Sequence, residues 1–336
     1  MKATEGTTYR MLQSNLGRTT TRLEELRIQG ATGTKLNKPS DDPASIRPVL
    51  TTRTQLMHTD RYLETMGVTL DKMAATDVHL NHVENILQRI KEITIGSINS
   101  AMSQKDLDTF ADEVTTLREE LVDAANAQVD GKYIFAGYAE KTVPFVENPT
   151  YDPALYDANN SQTWRYHYQG DPNPTELEIT PGEKLTANLT GNDLFMGISN
   201  STMQAPPVPG PGYASDGPGR IDIFSVLTRT EEALRAGNVD DPAGAGGGLH
   251  ENLKNIDIAS DQNRRLRSQL GNKAARVDSA MLHQEDVLVD LKQILSRYQD
   301  ADAIATFNAI VQQETALQAA LSITAKVSQI SILDYL

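Results

Sequence analysis

The stretch YRMLQSNLGRTTTRLEEL, from Tyr9 to Leu26, decides how this chain is read. Tyr9, Leu12, Leu16, Thr19, Leu23 and Leu26 recur at alternating steps of three and four. That spacing lays a coiled-coil-like seam along one side of an α-helix. The far end of the chain repeats it. Phe307, Ile310, Leu317, Leu321 and Thr324 fit one heptad register, with Val311, Val327 and Ile330 beside it. A helix cannot bury its own seam. Each seam needs a partner, which is the other terminus, another copy, or both. The pattern predicts an assembly subunit rather than a self-sufficient globule.

Working outward, the first helix is expected from about Thr7 to Gln29, stopping at Gly30 and Gly33. The turn-rich run Asn37-Lys38-Pro39-Ser40-Asp41-Asp42-Pro43 ends it and caps the next helix. A long helical stretch then runs from Ala44 to Val129, with a break expected between Gly96 and Ser103. Leu56, Leu63, Met66, Leu70 and Met73 hold a heptad that drifts to Leu80, Val83, Leu87 and Ile90, the signature of a stutter. Composition changes at Lys132. Of 15 prolines, 11 lie from Pro144 to Pro218, and nine of 18 aromatics lie from Tyr133 to Tyr168, so this region does not continue the helices. The alternating Trp164-Arg165-Tyr166-His167-Tyr168 and the Leu177, Ile179 pair before Thr180-Pro181-Gly182-Glu183 read as strands and turns. Pro206 to Pro218 reads as a Pro/Gly-rich connector, and Ala243 to Gly248 as a flexible loop. Helix returns at Ile221 and again from Leu249 to Tyr298, and a last helix follows Asp300-Ala301-Asp302.

The expected fold is therefore mainly α: a long antiparallel helical hairpin, or coiled-coil rod, built from both termini. A small β-rich inserted domain sits at its tip. The expected divisions are terminal helices 1–43 and 300–336, a helical rod of 44–137 and 221–299, and a β-rich insertion of 138–220.

Composition bounds the function. A net charge of -14 gives phosphate no reason to approach the surface, so nucleic acid is not an expected partner. Residues 1–60 are an exception, with nine Lys or Arg against six Asp or Glu. No apolar run reaches about 18 residues, so no membrane insertion is expected. Residues 1–20 show no apolar core of a cleaved leader, so an exported chain of this kind is expected to use another route. Cysteine is absent, which removes disulfides and thiolate chemistry.

Catalytic constellations do not emerge. His79 and His82, i and i+3 on a helix, lack a third ligand at a set spacing. Gly246-Gly247-Gly248 lacks the Lys and Ser/Thr of a phosphate loop. Asp41-Asp42 sits on a turn, where adjacent carboxylates cap a helix rather than flank a scissile bond. Arg264-Arg265-Leu266-Arg267, the densest basic cluster, is surrounded by acidic helices and reads as an exposed face or a contact to acidic neighbours in an assembly. Trp164, Tyr166 and Tyr168 would suit glycan stacking but fit the core of a small domain better. No enzyme, cofactor or metal is expected. Heptads alone also allow a cytoplasmic coiled-coil scaffold.

Two motifs narrow this further. Lys35-Leu36-Asn37-Lys38-Pro39-Ser40-Asp41-Asp42-Pro43-Ala44 resembles the loop after the first helix of the bacterial flagellins and flagellin-like hook-associated proteins. Ser296-Arg297-Tyr298-Gln299-Asp300-Ala301-Asp302 is similar to the Ser-Arg-x-x-Asp-Ala-Asp stretch before that family's final helix. Together they cover both flanks, about 1–137 and 222–336, in the right order. Within the family, Pro43 and the Ile332-Leu333-Asp334-Tyr335-Leu336 ending look more like a subunit of the hook–filament junction than a filament flagellin, which stays as the alternative. The resemblance implies an extracellular, non-enzymatic subunit of the flagellar axial structure, exported unfolded through the flagellar type III channel. It implies self-assembly, contact with a neighbouring hook-associated protein and with flagellin, and a cytoplasmic export chaperone on the C-terminal helix. The residues expected at assembly interfaces are Leu12, Leu16, Leu23 and Leu26; Asn37, Asp41 and Asp42; Arg297, Asp300 and Asp302; and Phe307, Ile310, Leu317 and Leu321.

Overall fold

The computed structural model describes residues 2–99, 102–203, 213–241 and 243–333. The Asp334-Tyr335-Leu336 ending and most of the Pro206–Pro218 connector lie outside the described residues, as do the side chains of Tyr9, Val327 and Ile330. The chain is mainly helical, with a small β-containing region, as heptads and composition predict. In order come α1 (Lys2–Thr32), α2 (Pro43–Asn99), α3 (Gln104–Ala125), β1 (Gln128–Val129), β2 (Lys132–Tyr133), β3 (Phe145–Glu147), β4 (Tyr166–Tyr168), β5 (Glu176–Thr180), β6 (Glu183–Thr186), α4 (Gly191–Phe195), α5 (Asn200–Met203), α6 (Ile223–Arg235), α7 (Leu249–Gln299) and α8 (Ala303–Leu333). Two compact units divide them: Met1–Arg61 with Glu285–Leu336, and Tyr62–Gln284.

The terminal unit is built on the antiparallel pair of α1 and α8. Its contacts run from Thr34 with Asp300, through Gly30 with Ile310, to Arg27 with Glu314. Leu23 and Leu26 of α1 are buried, as are Val49, Thr52 and Thr59 on α2.

In the middle unit, α2 contributes a strict seven-residue stripe. Met66, Met73, Leu80, Leu87 and Thr94 are all at most 2% exposed, so one line of the heptad never breaks. The expected stutter, which would displace both lines, is instead a one-residue shift of the second line alone. It passes from half-buried Leu63 and Leu70 to buried Thr76, Val83, Ile90 and Ser97. Buried hydroxyls in these lines donate back to the preceding turn, Thr94 Oγ1 to the Ile90 carbonyl at 2.8 Å and Ser97 Oγ to that of Ile93 at 2.9 Å. Burial therefore leaves no orphan there. The expected break after Gly96 is real. α3 restarts on a capping box in which Ser103 accepts from the Asp106 N–H and the Asp106 carboxylate accepts from the Ser103 N–H. α3 packs against α6. Arg118, 3% exposed, pairs there with Glu231, which also takes Arg235 at 3.0 Å.

The β-containing region holds three two-stranded antiparallel sheets, β1–β2, β3–β4 and β5–β6. Alternation along β4 and the residues before it places Trp164, Tyr166 and Tyr168 inward, 1%, 8% and 9% exposed, and so unable to stack on a glycan. Trp164 Nε1 donates to the Asp157 carbonyl at 3.0 Å, and the Tyr168 hydroxyl to that of Phe135 at 2.9 Å. Phe224 of α6 joins this core to the helices, with ring centroids 4.9 Å from both Phe145 and Tyr166. The glycine run, expected as a flexible loop, lies against α6. Gly246, at φ 78°, lies so close to α6 that a Cβ would sit 2.1 Å from the Ala233 nitrogen.

Phe224→Ala empties the meeting point of four rings and should destabilise the middle unit by about 3–5 kcal/mol. Urea unfolding followed by Trp164 fluorescence reads this directly. An unchanged midpoint would show that the ring cluster does not carry the core.

Candidate assembly interface

The two motifs that flank the chain meet in space. α1 continues through Gly30, expected as a stop, because Gly30 is a contact rather than a terminator. A Cβ there would lie 3.2 Å from Ile310 Cδ1 and 3.8 Å from Thr306 Cγ2, so the missing side chain lets α8 approach. Termination falls to Gly33, whose φ of 69° is the left-handed end conformation that glycine adopts without strain and whose N–H closes on the Gln29 carbonyl at 2.9 Å.

Beyond Gly33 the chain clasps the α7–α8 connection. The Lys35 N–H donates to the Gln299 carbonyl at 2.8 Å, and the Ala301 N–H to the Gly33 carbonyl at 2.9 Å. Thr34 and Asp300 sit opposite each other as an antiparallel bridge. Lys35 Nζ reaches the Arg297 carbonyl at 2.9 Å, and Arg53 of α2 donates to Gln299 Oε1 at 2.8 Å.

The paired Asp residues divide the work. Asp41 Oδ2 accepts from the N–H groups of Asn37 at 2.9 Å and Lys38 at 2.7 Å, which fixes the loop. Asp42 Oδ1 accepts from the Ala44 and Ser45 N–H groups and caps α2, with Pro43 at its first position. The Ser45 hydroxyl and N–H hold the Asp42 carboxyl below its ordinary range, so this cap is lost only as pH falls through that lowered value. Asn37 stays local, accepting from the Thr34 hydroxyl at 2.8 Å. Asp300 accepts from the Ser296 hydroxyl at 2.6 Å, and Asp302 caps α8 through the Ile304 and Ala305 N–H groups. A groove of about 490 Å³ lies between α1 and the loop, lined by Arg22, Glu25, Ile28, Lys35, Asn37 and Asp41.

The seam residues fall into two sets. Leu23 and Leu26 are buried, and Leu12, Leu16, Ile310 and Leu317 half-buried. Thr306, 7% exposed, leads the face of α8 that meets α1. Phe307 and Leu321, counted in the same heptad as Ile310, stay open to solvent beside that contact, 65% and 50% exposed. They share that exposure with Ile304 at 77% and Val311 at 59%. α8 thus has an inner stripe on α1 and an outer apolar stripe open to solvent. The 304, 307, 311 spacing signals the outer stripe in sequence; Gly30, Thr34 and Gln299, which complete the clasp, carry no such signal.

The remaining candidates are taken up locally. Arg267 forms a fork on Asp77 at 2.6 and 2.9 Å, Arg264 pairs with Glu84 and Asp261, and Arg265 donates to the Gly219 carbonyl. The acidic neighbours of that basic cluster belong to this chain. His79 is half-buried, and burial, then the charge of His82, lowers its pKa. Among the described residues no three His, Asp or Glu side chains gather as a metal site, and no helix is long and apolar enough to cross a membrane.

Residues 6–140, which hold most of α1, the clasping loop, α2 and α3, match the bacterial flagellin N-terminal helical region. Over 320 residues, 93% of both chains, the sequence is 25% identical to flagellar hook-associated protein 3 of Escherichia coli strain K12. The sequence is thus similar to flagellin over its first part and to a flagellar hook-associated protein over most of its length. It is also 22% identical to flagellin D of Vibrio anguillarum, over 89% of each chain. The crystal structure of Xanthomonas campestris FlgL matches with a TM-score of 0.55 at 19% identity, covering 73% of this chain and 99% of that one, which places the fold. The loop and its capping aspartates thus lie inside the match to the flagellin N-terminal helical region, and the 296–302 half of the clasp lies outside that match.

The two sets of seam residues should respond differently in the isolated chain. Leu26→Asp puts an unpaired charge into the α1–α8 contact and should speed amide exchange in both helices by about tenfold or more. Phe307→Asp should leave exchange within about twofold, since that side chain is already in water. Equal responses would show that the two stripes are not distinct.

Proposed function

We propose that this chain is a structural subunit of the bacterial flagellum that joins hook to filament by packing its terminal helices into the hollow axial structure. The observation that carries this is the outer stripe of α8: Ile304, Phe307, Val311 and Leu321 remain exposed after α8 has closed on α1. Clustered exposed apolar side chains on an ordered helix call for a partner. In this reading Leu12, Leu16, Leu23, Leu26, Ile310 and Leu317 hold the pair together, and Phe307 and Leu321 meet neighbouring subunits. Asn37, Asp41, Asp42, Arg297, Asp300 and Asp302 set the angle at which the pair leaves the α2 and α7 ends.

The function is assembly, with no catalytic step. Residues 1–43 and 300–336 serve polymerisation, 44–137 and 221–299 form the surrounding rod layer, and 138–220 face outward. The partners are further copies of the chain, an adjoining hook-associated protein and flagellin, and a cytoplasmic chaperone covers α8 before export to the cell exterior. The similarity to flagellin D favours a second reading, a filament subunit, over the coiled-coil scaffold.

Deleting the gene and imaging cells by electron microscopy tests the junction role. The expected result is hooks without filaments, with flagellin shed into the medium; intact filaments would contradict it. Removing Ala303–Leu336 alone should leave the middle unit folded yet abolish incorporation, and a truncated subunit that still supports filament growth would contradict the role given to α8.

A further inference from the structure

We infer that the Asp222 carboxyl is a protonation-controlled cap on α6, closed while neutral and loosened when it ionises. This stands on the middle unit alone and does not depend on the flagellar reading. Asp222 is the N-cap of α6, its Oδ2 accepting from the Ser225 N–H at 2.9 Å, and it is 3% exposed. An N-cap carboxylate ordinarily gains from the helix dipole and from such N–H groups. Here burial outweighs both and pushes the carboxyl up to about 7.

The surroundings explain why. Among the described residues no ion pair reaches Asp222. From the preceding segment, Arg220 is committed to Asp193; from α6 itself, Arg229 lies over the Tyr156 ring, 4.6 Å from its centroid. Tyr156 faces the carboxyl from the 153–157 segment, its own phenol held neutral by burial, and α7 contributes Glu251, Asn252 and Asn255 to the same cavity. That cavity, about 470 Å³, lies against Asp222 and gives water a way in once a charge forms.

The cap holds more than one helix end. Next to it, Gln262 Oε1 accepts from the Ile221 N–H, and Gln262 Nε2 donates to the carbonyls of Ile221 and Leu194. Loosening Asp222 therefore frees the point at which the β-containing region returns to the helices.

The sign follows from the folded value being raised. Stability from this group is fully present below the ordinary carboxylate range near 4 and is lost as pH climbs to about 7. Hydrogen exchange with mass spectrometry on peptides spanning 221–228, corrected for intrinsic rates, measures it. Between pH 5.5 and 8.5 the opening equilibrium should rise about thirtyfold, levelling off above about pH 8, while α3 peptides stay flat. Asp222→Asn, an equally good cap without the charge, should hold the rise under about threefold, and Asp222→Ser supplies a second neutral cap should the first fail to fold. A flat wild-type profile, or the same rise in both neutral variants, would overturn the inference.

Discussion

The backbone exchange between residues 33–35 and 299–301 is the constraint on which the terminal unit depends. Lys35 to Gln299 and Ala301 to Gly33 are only two hydrogen bonds, yet they tie segments some 260 positions apart and fix where α1 and α8 begin to run together. Everything along the pair inherits its register from that point. Gly30 falls opposite Ile310 and Thr306, Leu23 and Leu26 go inside, and Phe307 and Leu321 are left outside. Side-chain ion pairs add little. Arg27 and Glu314 pair at 2.7 Å but are both about half exposed, where such pairs contribute at most about 1 kcal/mol.

Charge separates the two units as sharply as packing does. Met1–Arg61 and Glu285–Leu336 together hold 13 Lys or Arg and 13 Asp or Glu, so the net charge of -14 belongs wholly to Tyr62–Gln284. A neutral terminal unit can be brought against copies of itself without long-range repulsion, while the acidic unit keeps the chain soluble. The terminal helices also have few deeply buried side chains among those described. Ordering them costs conformational entropy that their own contact offsets poorly, which fits ends that become fully ordered only in an assembly.

Much of this was legible in the residues because it depends on local rules. Seven-residue spacing marked the helices, Ser103 and Asp302 marked their starts, and alternation around Tyr166 and Leu177 marked strands. What escaped depended on proximity between distant residues. Gly30 looked like a stop because glycine weakens a helix on average; only the approach of Ile310 shows why it is tolerated. The glycines at 246–248 looked mobile because nothing local reveals α6 pressed against them. Phe307 and Ile310 fitted a single heptad on paper, and which belongs to the inner stripe is set by the clasp, not by spacing. Asp222 drew no notice in the sequence, since its burial comes from segments far away along the chain.

In the role proposed for it, the outer stripe of α8 meets other subunits of the axial structure. A photo-crosslinking amino acid in place of Phe307, activated in intact flagellated cells, tests it directly. The expected result is adducts between this chain and neighbouring axial subunits, identified by mass spectrometry of purified hook–filament preparations. Adducts confined to α1 of the same chain, or none in assembled flagella, would contradict it.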